Sequence, residues 1–138
     1  MKILGILAFL SVMVGCNATP TSNNQSNVIQ PQFNAEVIEV SVERLEQYWL
    51  SKPVKPKMLN RRPSWLPKGE GSWTIMTIID STGTEVERTL ISSKPEGIMT
   101  QAMVDQMPKT SYTPAASNQN KVPVKFYGTA RVAPRRKL

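Results

Sequence analysis

Histidine is absent from the chain, and cysteine occurs once, at position 16. The first absence removes the side chain that most often serves as general base or metal ligand near neutral pH. The second leaves no intramolecular disulfide and no thiolate cluster for zinc. Acidic residues are outnumbered 10 to 17 by lysine and arginine, and they form no cluster that suggests a carboxylate metal site. Aromatics amount to 7%, and no apolar run reaches the roughly 20 residues that a membrane-spanning helix needs. Nucleophilic catalysis requires a nucleophile beside a base. Without histidine only a Ser–Lys pair remains, and no motif marks one. The chain therefore reads as a non-enzyme, with no catalytic residue, metal or cofactor expected.

What is present starts with "MKILGILAFLSVMVGC", a positive charge followed by an apolar core from Ile3 to Val14. A core of this length behind a positive start has the form of a secretory signal. Met13, Val14 and Gly15 lead into Cys16, and the group resembles the lipobox of bacterial lipoproteins, with Met13 in place of the usual leucine. The resemblance implies cleavage before Cys16 and lipidation of its thiol and freed amine. At ~0.8 kcal/mol per buried methylene, several acyl chains hold a protein to a bilayer. Cys16 is then a tether, with the envelope membrane as its partner. By analogy with lipoprotein sorting, Asn17 after the cysteine favours the outer membrane, facing the periplasm.

The 138 residues suffice for one domain with appendages, and 11 prolines against 7 glycines imply much extended backbone. Five segments are expected: a signal at 1–15, a lipidated cysteine and flexible linker at 16–35, a short helix and Pro-rich connector at 36–67, a folded domain at 68–134 and a basic tail at 135–138. Residues 17–34 carry no charge and few apolar side chains, too little to offset the entropy of ordering them. As a flexible coil this stretch spans about 25 Å. Ile38, Val40 and Val42 alternate like a strand. Val42, Leu45 and Trp49 then share a helical face, predicting a helix over 42–51 with Ser41 as N-cap and Pro53 as its end. Pro53, Pro56, Pro63 and Pro67 fix an extended connector.

The C-terminal half is more explicit. "SWTIMTIID" alternates and is β-branched. "DSTGTE" is a glycine turn, and "TEVERTLISS" alternates again, so the two make a hairpin. After Pro95 and Gly97, residues Ile98, Met99, Ala102, Met103 and Met107 recur at helical spacing, and Pro108 ends the helix. Thioethers suit copper(I), but methionine is also a common core filler, and no histidine or second cysteine accompanies these. "KVPVKFYGTARV" sets Val122, Val124, Phe126, Ala130 and Val132 on one face and Lys125, Tyr127, Thr129 and Arg131 on the other.

This order, with Gly71, Ile79-Asp80, Gly83, Ser92, Pro95-Glu96-Gly97, Tyr112, Pro114-Ala115 and the last strand, resembles the C-terminal domain of the TonB energy transducers over about residues 63–132. The resemblance implies an α+β fold: a three-stranded antiparallel sheet in the order strand, strand, helix, strand, preceded here by a short helix. It also implies binding of a periplasmic or outer-membrane protein segment by strand addition. The family's N-terminal membrane helix with its histidine has no counterpart, so energy transduction is not expected. The candidate docking strand is 121–132, through Val122, Val124, Lys125, Phe126, Tyr127 and Arg131. A homodimer through edge strands is a further option. Met76, Ile78, Ile91 and Tyr127 leave the sheet's second face apolar, to be covered by residues 42–51 or by a partner. The alternative function is attachment to anionic lipid or cell-wall polymer through "PRRKL", Arg61-Arg62 and the Lys-Pro segment. Nucleic acid is not an expected partner.

Overall fold

A computed structural model describes residues 30–58 and 60–133. Cys16, the signal segment and the basic tail lie outside the described residues. The fold is α+β. Its elements are β1 (Ile38–Glu39), α1 (Val42–Leu45), β2 (Trp49–Ser51), β3 (Gly71–Ile79), β4 (Glu85–Lys94), α2 (Gln101–Gln106), β5 (Tyr112–Pro114) and β6 (Val124–Val132).

The expected hairpin forms. β3 and β4 pair antiparallel, and the chain reverses at Asp80–Thr84. Gly83 sits there at φ +81°, and a Cβ on it would collide with the Tyr112 carbonyl. That position therefore needs glycine on two counts. β6 pairs antiparallel with the other side of β3 in an unbroken register, Gly71 opposite Val132 through Ile79 opposite Val124.

The sheet has four strands rather than three, because β1 adds parallel to β6 at Val124 and Lys125, giving the order β1-β6-β3-β4. A second, two-stranded sheet joins β2 to β5. It docks on the hairpin turn through the Tyr112 amide, which donates to the Gly83 carbonyl at 2.8 Å.

The expected helix over 42–51 is corrected to one turn at 42–45, followed by a bend and β2. Ser41 does occupy the N-cap position, without a side-chain hydrogen bond. The cause is Trp49. Extended backbone buries it to 1% exposure against Ile79, Tyr112, Val40 and Val124, and its indole N–H donates to the Val122 carbonyl at 2.9 Å. Val42, which the helical stripe would have buried, is exposed. Residues 38–51 are thus built into the domain rather than set before it.

Residues 32–34, expected to be free linker, are also held. Gln32 N–H donates to Asp80 Oδ2 at 3.0 Å, and Asn34 exchanges bonds with the Ser81 hydroxyl.

Inward side chains come from odd positions of β3 and even positions of β6, as pleating requires. They support two clusters. Ile79 and Val124 join Val40, Trp49 and Tyr112 at one end. Trp73 joins Met99 and Val104 at the other, with Ile75, Leu90, Ile98, Met103 and Val132 packed around them. The helix expected from Ile98 is shorter, starting at Gln101 with the Thr100 hydroxyl accepting from the Met103 amide. In it Val104 is the buried residue, while Ala102 is exposed.

Candidate functional site

The sheet has two long edges, and they are finished differently. On β4 the outward-facing Arg88 carbonyl accepts from the Gln101 side-chain amide at 2.9 Å, and the Leu90 N–H donates to Gln101 Oε1 at 2.7 Å. Gln101 begins α2, so a carboxamide carried by the helix stands in for the missing neighbour strand and blunts this edge.

On β6 only the start is covered. Ile38 N–H donates to the Pro123 carbonyl at 3.1 Å and Val40 N–H to the Lys125 carbonyl at 2.9 Å. The chain then stops pairing and enters α1, which stays against β6, with Val42 and Glu43 lining a hollow beside the Tyr127 side chain. In an antiparallel ladder, outward-facing and inward-facing backbone groups alternate along a strand. Because Pro123 and Lys125 face β1, the N–H and C=O of Tyr127, Thr129 and Arg131 also face that side. Among the described residues no strand pairs with them there.

The candidate residues fall on this strand as follows. Val122 precedes β6 and accepts from Trp49. Val124 is fully buried and already paired with Ile38, so it offers nothing to a partner. Lys125 is engaged by β1: its ammonium lies 3.1 Å from Glu39 and 5.9 Å from the centre of the Tyr127 ring. The Glu39 hydrogen bond raises its pKa, with the Tyr127 phenol and the Glu39 charge adding to it. Phe126 packs inward against the first cluster. Tyr127 and Arg131 are exposed on the outer face, and Arg131 reaches 4.0 Å from Glu70. Of the candidate stretch 121–132, the part without a neighbour strand is thus 127–131.

Of the two covers expected for the outer face, residues 42–51 or a partner, the first reaches only its margin: Trp49 and Leu45 pack inward on the opposite side, and Val42 and Glu43 lie beside Tyr127. Met76 and Ile78 are half-buried there, while Ile91 and Tyr127 are exposed.

On the inner face a cleft of about 280 Å³ runs between the two clusters and reaches the open edge. Its floor is Ile75, Thr77 and Gly128, and Trp73, Phe126 and Met107 form apolar walls. Above it, Glu85 is 4% exposed and paired with Arg88. The same carboxylate accepts from the Thr110 N–H at 3.1 Å and the Tyr112 hydroxyl at 3.3 Å. Arg88 also donates to the carbonyls of Met107 and Pro108. Every member is satisfied, so the network fastens β5 and the end of α2 to β4 and presents no spare acid or base. Burial, reinforced by the Glu85 charge, pushes the Tyr112 phenol up to about 12. Sequence reasoning missed this network because its members sit at positions 85, 88, 110 and 112 with no periodic signature.

Among the described residues no group of three or more acidic or cysteine side chains could hold a metal, and no helix is long and apolar enough to cross a membrane. No family profile, curated protein or solved structure matches the chain.

Proposed function

We propose that this chain is a non-enzymatic, lipid-anchored binding or scaffolding module of the bacterial envelope, which engages a protein partner by accepting a strand on β6. Cys16 is its tether, at the outer membrane and facing the periplasm. Its core is TonB-like in the succession β3, β4, α2, β6, without energy transduction. What supports the docking reading is the contrast between edges. A carboxamide takes the Arg88 carbonyl and the Leu90 N–H in the middle of β4, whereas Tyr127, Thr129 and Arg131 offer unpaired donors and acceptors in strand geometry. Main-chain pairing of this kind gives affinity in strand-addition complexes.

The test is a photo-crosslinking side chain at position 129 of the full chain in intact cells. A defined captured protein, lost on Tyr127→Pro, is the expected result, because proline removes an outward donor. Capture unaffected by that substitution, or capture of lipid alone, overturns the reading. Metabolic labelling with palmitate, lost on Cys16→Ser, tests the anchor.

A further inference from the structure

Resting on that strand-accepting reading, we infer that the partner is an extended peptide that places an aliphatic side chain over Gly128 and a carboxylate beside Arg131, three residues apart. Gly128 lies on β6 at the middle of the open stretch, and a Cβ built on it meets nothing within 4 Å. Glycine within a strand often marks a close approach by another chain. Here no described part of the chain fills the space. The gap opens directly into the cleft between the clusters.

Gly128 directs its own backbone groups at β3, opposite Ile75. A residue opposite Gly128 in an added antiparallel strand therefore takes the non-hydrogen-bonded position, where Cα atoms come within about 4.5 Å. Its side chain points inward, across the missing Cβ, toward Phe126, Ile75 and Trp73.

Residues opposite Tyr127, Thr129 and Arg131 point to the outer face instead. Arg131 is 73% exposed there, with Glu70 only at 4.0 Å. The chain's net charge is +7. Both favour a carboxylate opposite Arg131. The same charge disfavours a second copy of this chain at the edge. Residues 17–34 of the chain carry no charge, so that segment cannot supply the carboxylate.

The probes are fluorescent Ser/Thr-rich decapeptides carrying one leucine and, three residues away in either order, one aspartate. Anisotropy with the full chain in detergent micelles reads their binding. In the order that binds, leucine to alanine is expected to weaken binding about tenfold or more, as loss of an apolar side chain from a fitted pocket does. Gly128→Val is expected to do the same while the fold is retained by circular dichroism. Aspartate to asparagine, or Arg131→Gln, is expected to cost several-fold less.

N-methylation of the peptide opposite Thr129 separates the two layers. If it abolishes binding while the leucine and Gly128 changes do not matter, strand addition stands and the inference fails. If binding ignores N-methylation, or no peptide binds, both fail. Should Gly128→Val not fold, the leucine-to-alanine peptide alone decides. A dimer in sedimentation that the peptide cannot displace identifies a second copy as occupant. Binding that strengthens tenfold on deletion of residues 17–29 identifies the chain's own segment. Either overturns the inference.

Discussion

The two edges of the main sheet face the same hazard, unpaired backbone groups in strand geometry, and meet it by different means. The middle of β4 is covered by one side chain, Gln101, whose carboxamide takes both the Arg88 carbonyl and the Leu90 N–H. β6 is closed by chain, and only at its beginning, where Ile38 and Val40 donate to Pro123 and Lys125. The first device is local: Gln101 lies 11 residues from Leu90 and needs only α2 to be held in place. The second depends on the N-terminal segment being fixed at a distance by Trp49, Tyr112 and Asp80. An edge protected from afar can be left partly open, and this one is.

The largest effect on that contrast is expected from Trp49→Ala. It deletes the most buried aromatic of the first cluster and leaves the Val122 carbonyl without its indole donor. Urea denaturation should show a loss of about 4–5 kcal/mol. Amides of 38–40 should exchange faster than those of β3 and β4, because β1 loses its support.

Gln101→Ala should act on the other edge, destabilising by about 1–2 kcal/mol. It should also create a concentration-dependent dimer through β4, visible by sedimentation. A monomer of unchanged stability would mean that Gln101 does not seal that edge.

Acid should loosen the N-terminal segment that covers the start of β6. Burial alone would raise the Asp80 pKa, but hydrogen bonds from the Thr82 hydroxyl and the amides of Gln32, Thr82 and Thr84 outweigh it and hold the carboxyl below 3.8. A depressed carboxylate contributes stability above its unfolded value, and loses it as pH falls through the folded one. The protection of the Gln32 and Thr82 amides against hydrogen exchange should therefore fall as pH drops through the lowered Asp80 value, and Asp80→Asn should flatten the response.

The smallest effect is expected at Ile91→Thr. Ile91 is 51% exposed on the outer margin of β4, so stability should move by no more than about 0.5 kcal/mol.

What could be read in the sequence was local. β3, its turn and β4 announce themselves through alternation, β-branching and Gly83, and the two strands need only each other. α2 was legible in kind but not in extent, since Met99 is buried before the helix begins and Val104 replaces Ala102 inside it. The first cluster was not legible, because it unites Val40, Trp49, Ile79, Tyr112 and Val124 from five separate stretches. Val42, Leu45 and Trp49 do fall at helical spacing. The burial gained by Trp49 in extended backbone outweighs that local preference, as tertiary context commonly does. The candidate docking strand was proposed by resemblance, but how much of it lacks a neighbour strand was not legible. That depended on β1, whose two residues gave only a faint alternation.

The shortness of the uncovered stretch has a kinetic consequence. β1 stops at Glu39 and β6 ends at Val132, so Tyr127, Thr129 and Arg131 can make only about six main-chain bonds, each contributing roughly 0.5–1.5 kcal/mol net. Set against the several kcal/mol lost when two molecules become one, that footprint supports fast exchange rather than a permanent joint. Under the proposed function, the acyl anchor and the edge would work on opposite clocks: one end of the protein staying put, the other suited to catching and letting go.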